Sequence, residues 1–89
     1  MTLALATETS IKKLDELLVL LAQDSDPASD ASLLADEHVR GARAYLLGAM
    51  YSEYELNLQL ARKAVARIHD DRVRAQAERI LDSLIDTKK

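Results

Sequence analysis

Apolar positions recur at helical spacing along most of the chain, and no stretch alternates as a half-buried strand would. Ile11, Leu14, Leu18 and Leu21 form one stripe with Leu17 beside it, the spacing of a helix with one buried face. Thr7 to Ser10 offer capping side chains in front of this stripe, and the segment QDSDPASD, with the only proline, stops it. Asp26 followed by Pro27 reads as an N-cap with proline at the first helical position, and Asp30 is a second candidate cap. The next periodic segment runs to about Met50. Ser52 and Glu55 then have the S-x-x-E spacing of a capping box and mark a fresh start. Beyond it, Leu58, Leu60, Ala61, Ala64, Val65 and Ile68 share a broad face, with Gln59, Arg62, Lys63 and Arg67 opposite.

Neither Gly nor Pro separates that helix from the last one, so phase decides whether they are continuous. At about 100° per residue, the apolar arc of residues 54–68 is centred roughly 160° from the arc of Val73, Ala77, Ile80, Leu81 and Leu84. One straight helix would turn its two halves in nearly opposite directions. A break therefore falls near His69 to Asp71, with Asp70 or Asp71 as the new N-cap. Across residue 51 the mismatch is about 100°, a weaker argument, and residues 27–68 read as either one helix or two. The expected fold is all-α, a small antiparallel bundle of three to four helices at about 8–23, 27–50, 52–68 and 71–86. It forms a single domain over residues 1–89, with flexible ends at 1–7 and 87–89.

Composition supports this and narrows the function. The 89 residues include no Phe, Trp or Cys, so the core is built from Leu, Ile, Val, Ala and a few Tyr, a set that suits packed helices. Two glycines and one proline leave few turns for β-hairpins. A domain of this size buries only about two-thirds of the surface its unfolded chain exposes, which makes a homodimer attractive. The absence of cysteine removes disulfides, thiolate chemistry and Cys-based metal sites, and agrees with a reducing compartment. The start MTLALATETS lacks the basic residues of a secretory signal. The longest strongly apolar run, Leu17 to Ala22, is far short of the roughly 20 residues a membrane span needs. The expectation is a cytoplasmic, soluble protein with no membrane partner.

The net charge of −3 is uneven: residues 1–37 carry −6, residues 38–79 carry +3, and the rest balance. The acidic front and basic middle either attract each other, within one fold or across a dimer, or are mixed solvated helix faces. Arg62, Lys63, Arg67, Arg72, Arg74 and Arg79 cluster within 18 residues, interrupted by Asp70, Asp71 and Glu78. No aromatic residue stands among them for base stacking. Spacings such as Asp70–Arg74, Arg67–Asp71 and Arg74–Glu78 suit intrahelical ion pairs, so nucleic acid is not an expected partner.

The stretch DEHVRGARAYLLGAMYSEY, Asp36 to Tyr54, collects both glycines, all three tyrosines and His38. EHVRG looks like the histidine motif of phosphotransfer domains, but Arg40 and Gly41 each stand one residue too close to His38. On a helix that moves each group by about 100°. Ala35 and Ala66 stand where a Glu-x-x-His di-iron motif needs glutamate. His69, Asp70 and Asp71 cluster ligand types but read as a helix cap, and no nucleophile elbow or phosphate-binding glycine loop is present. Paired carboxylates such as Asp15–Glu16 and Asp36–Glu37 fall on expected helix surfaces. No catalytic, cofactor or metal residues are assigned.

On a helical wheel Leu34, His38, Gly41, Tyr45 and Gly48 fall within about 80° of one another, with Asp36, Arg40 and Arg43 on the far side. The expectation is a close-packing or interaction seam of Leu34, His38, Gly41, Tyr45, Gly48 and Tyr54. In it the glycines admit a neighbouring backbone and the Tyr45 hydroxyl reaches a partner such as Asn57. The stretch YLLGAMYSEYELNLQLARKAV resembles one tetratricopeptide repeat through Leu47-Gly48, Tyr54 and Lys63-Ala64-Val65. The span from Gly48 to Tyr54 is shorter than in that repeat, Asn57 replaces a small residue, and there is a single copy. The resemblance implies a helical hairpin. The functional expectation is a small protein-protein interaction, regulatory or adaptor protein that associates with itself and has no catalytic chemistry of its own. The alternative is an accessory domain that binds a small ligand or acts as a phosphotransfer-like module through His38.

Overall fold

A computed structural model of the chain describes residues 3–86. Four helices follow one another: α1 Leu3–Leu21, α2 Asp30–Leu47, α3 Tyr51–Val65 and α4 Asp71–Asp86. They form an all-α bundle in which each helix packs on two neighbours, in the cyclic order α1, α2, α3, α4 and back to α1, with no close approach of backbones across the diagonals. Its extents are 38 × 20 × 19 Å.

The core fills the central channel. Leu14, Leu17 and Leu21 enter it from α1, Val39 and Leu46 from α2, Leu58 and Val65 from α3, and Val73, Leu81 and Leu84 from α4. The α1 stripe is centred on Leu17 and also takes in Leu20, while Ile11 and Leu18 are only partly covered.

The helix ends differ from expectation in informative ways. α1 is in place from Leu3, because Leu and Ala before Thr7 are good helix formers and nothing there breaks the turn. Thr7 to Ser10 therefore lie inside the helix instead of capping it, and residues 1, 2 and 87–89 lie outside the described residues. α2 begins at Asp30, not at Pro27. The Asp26 N–H donates to the Asp24 carboxylate (3.1 Å) and the Asp26 carbonyl accepts from Ser29 N–H (3.1 Å), so Asp26 is committed to a turn. Ser29 is the cap, its hydroxyl accepting from Ser32 N–H at 3.2 Å.

Between α2 and α3 the chain makes a Schellman turn. Met50 N–H donates to the Tyr45 carbonyl at 2.8 Å and Ala49 N–H to Leu46 at 3.1 Å. The left-handed residue of this turn is Ala49, with φ 58°; Gly48, one residue earlier, has φ −87°. Met50 emerges already in the cap position of α3, so α3 starts before Ser52 and the expected Ser52–Glu55 box is not its cap.

α3 closes at Val65, three residues before the expected Ile68. Ile68 is still buried, held by a short turn in which its N–H donates to the Val65 carbonyl at 3.0 Å. The break before α4 falls where phase placed it, and Asp70 caps α4 by accepting from Val73 N–H at 3.2 Å. Its second carboxylate oxygen accepts from Ser25 N–H at 3.0 Å, tying the α1–α2 loop to the start of α4. These two N–H donors, Val73 first, hold the Asp70 carboxyl below its ordinary value.

The expected i, i+4 ion pairs of the arginine cluster are replaced by others. Arg74 pairs with Asp71 (2.7 Å) and donates to the Ile68 carbonyl, while Arg62 clasps Glu78 and Asp82 of α4, both at 2.9 Å. The α3–α4 break separates Arg67 from the helix that carries Asp71, the Asp70 carboxylate is committed to Val73 and Ser25 N–H, and Glu78 is taken by Arg62. Arg43 reaches Asp15 of α1 at 2.8 Å, one link between the basic middle and the acidic front. The sequence pattern also offered no buried carboxylate, yet Asp24 is buried in the α1–α2 loop and its Oδ2 is without a hydrogen-bond partner.

Candidate functional site

α2 buries Ala31, Ser32, Ala35, Val39, Ala42 and Leu46. The expected seam of Leu34, His38, Gly41, Tyr45 and Gly48 lies about 110° round the helix from the centre of that buried arc, at roughly 100° per residue. Leu34 and Tyr45 are exposed, at 39% and 36%, and Gly48 is exposed at the end of the helix. His38 and Gly41 are half-buried on the flank that meets α3, and only Tyr54 is fully inside. Burial pushes the Tyr54 phenol up, opposed by a hydrogen bond with the Ser10 side chain that bridges α1 and α3.

The physical reason for the rotation is backbone approach. Ala31, Ala35 and Ala42 let α2 sit close to its neighbours, with Val39 and Leu46 filling the core between them. The result inverts the usual arrangement. α2 places mostly small side chains inside and keeps Leu33, Leu34, Tyr45 and Leu47 outside.

The polar node between α2 and α3 is also arranged differently. Asn57 donates from Nδ2 to the Glu53 carbonyl at 2.9 Å, and its Oδ1 faces His38 Nδ1 at 3.4 Å. With the amide nitrogen committed to Glu53, the pairing puts the proton on His38 Nδ1. The partner of Asn57 is thus His38 and not Tyr45. Gly41 lies against the same amide: a Cβ there would stand 2.8 Å from Asn57 Oδ1. At Gly48 a Cβ would meet nothing closer than 3.6 Å, so space does not require that glycine.

Eight large apolar side chains remain exposed among the described residues. Seven belong to the α2–α3 hairpin: Leu33 and Leu34 at one end, and Tyr45, Leu47, Met50, Tyr51 and Leu56 at or near the connecting turn. Leu47 (60%) and Leu56 (58%) are the most open of them. The sequence reading missed Leu33, Leu47, Met50, Tyr51 and Leu56. For Leu33 and Leu47 the available signal was the width of the α2 apolar arc, too broad for one buried face; Met50, Tyr51 and Leu56 lie beyond α2.

Elsewhere, an open cleft of about 480 Å³ lies between the start of α2 and the α3–α4 turn, where Arg67, His69 and Arg74 stand beside Asp30. Its mixed charges define no ligand. Among the described residues no three His, Asp or Glu side chains converge as metal ligands, and no helix is long and apolar enough to cross a membrane. Compared with known proteins, the chain matches no family model, no curated protein and no solved structure.

Proposed function

We propose that the chain is a cytoplasmic helical interaction module, without catalytic chemistry of its own, that associates with itself through the exposed apolar side chains of the α2–α3 hairpin. The observation that carries this reading is the inversion in α2, where the small face is spent on the core and the larger apolar side chains stand in solvent. An apolar patch on a small soluble domain marks an interaction surface.

Light scattering over a wide concentration range tests the reading. Wild-type protein is expected to show twice the chain mass, and Leu47→Glu the chain mass alone. A wild-type protein that stays monomeric throughout overturns it.

A further inference from the structure

The connector between α1 and α2, residues 22–29, has no apolar anchor. Its only buried side chain is that of Asp24, 6% exposed. Asp24 Oδ1 accepts from Asp26 N–H at 3.1 Å. Asp24 Oδ2 is the one buried side-chain oxygen or nitrogen without a hydrogen-bond partner among the described residues. A carboxylate oxygen buried in this way costs free energy that it recovers on reaching water. The closed connector is therefore under load.

Two contacts from the start of α4 hold it down. Ser25 N–H donates to Asp70 Oδ2 at 3.0 Å, and Arg72 reaches Gln23 Oε1 at 3.4 Å. The second is long and exposed, and contributes little. The first is firm, because the other oxygen of Asp70 is fixed by Val73 N–H at 3.2 Å, which ties the carboxylate to its helix. Ser25, Asp26, Pro27 and Ala28 are exposed, so nothing packed over them resists outward movement.

We infer that residues 23–28 form a latched strap, which the half-satisfied Asp24 drives toward water and Asp70 holds closed through Ser25 N–H. The strap opens as a unit while the four helices stay folded, a local opening of the kind that weakly packed segments undergo. Opening also loosens the turn in which Ser29 N–H donates to the Asp26 carbonyl at 3.1 Å. That turn delivers the Ser29 cap to α2, directly before the exposed Leu33 and Leu34. The strap does not depend on self-association.

Amide hydrogen exchange on the full chain, followed residue by residue at low denaturant, tests this. In the wild type, Ser25 N–H is expected to exchange through an opening insensitive to denaturant, and the amides of Leu17 and Leu81 through global unfolding. Asp70→Ser keeps an oxygen for Val73 N–H but is too short to reach Ser25. It is expected to lower protection at Ser25 about tenfold and to leave Val73 protected. Asp24→Asn keeps the acceptor for Asp26 N–H and removes the buried charge. It is expected to raise protection at Ser25 about tenfold. Unchanged protection at Ser25 in Asp70→Ser overturns the latch. Unchanged or lower protection in Asp24→Asn overturns the load on the closed strap. A wild type in which Ser25 exchanges only together with Leu17 and Leu81 overturns the whole device without recourse to any variant.

Discussion

α4 and α2 are helices of similar length, 16 and 18 residues, that divide their side chains in opposite ways. α4 buries Val73, Ala77, Leu81 and Leu84, partly covers Ile80 and Ile85, and exposes no large apolar side chain. Its outer positions are Arg, Gln, Asp and Glu, and Arg62 of α3 locks two of those acids in place. α2 buries a face made chiefly of alanine and leaves three leucines and a tyrosine exposed. The first pattern is complete within one chain. The second holds more apolar surface than the bundle covers, and the two cases separate residues needed for folding from residues available for association.

The sharpest break of that comparison is Leu81→Ala. Leu81 is fully buried, and the truncation should cost about 2–5 kcal/mol in a denaturant titration, a large part of the stability of a domain this small. A loss near zero would show that α4 is not packed as described. Gly41→Leu should cost about 1–3 kcal/mol by overpacking, because the Asn57 amide it displaces is pinned to Glu53. Gly48→Leu, with no tight neighbour, should stay within about 0.5 kcal/mol. Equal costs at the two glycines would remove the distinction between the flank that meets α3 and the open end of α2.

Asp70 supplies a pH-dependent comparison. Its carboxyl is held below the ordinary value by Val73 N–H and then Ser25 N–H. A depressed folded-state value stabilises fully above the unfolded one, near pH 4, and that contribution disappears as pH falls through the folded value. Asp70→Ala should therefore lower the melting temperature at neutral pH, and the gap to wild type should close below about pH 4. A gap that persists in acid would detach the cap from the carboxylate. Ala49→Gly should raise stability by about 1 kcal/mol, because an L side chain is disfavoured at φ 58°; no gain would mean that the turn relaxes. The smallest expected change in folding is that of Leu47→Glu, within about 0.5 kcal/mol for the monomer, although it should abolish the proposed self-association. A strongly destabilised Leu47→Glu would place Leu47 with the core and collapse the contrast between the two helices.

Much of the fold was legible in the order of residues alone. The phase mismatch across His69–Asp71 located the α3–α4 break and left Asp70 or Asp71 as its cap, of which the structure uses Asp70, and α4 was read with both its bounds and its buried face. Caps were less legible. Ser29 displaced Asp26 and Met50 displaced Ser52 because a cap depends on where the preceding turn delivers the chain, and turns here are closed by hydrogen bonds between residues several positions apart. The expected seam was legible only as one arc of α2. The wheel placed Leu34, His38, Gly41, Tyr45 and Gly48 on one arc, but it could not say whether that arc faced the core.

The sequence by itself determined the helical class, the extent of α4 and the break before it, because each follows from local propensity and from apolar phase within one segment. Only the tertiary structure decided which flank of α2 turned inward, that Asn57 meets His38, and that Arg62 binds α4. Those outcomes depend on how closely neighbouring backbones approach. An alanine face permits the closest approach, and a wheel that ranks residues by their own hydrophobicity contains no information about the helix on the other side.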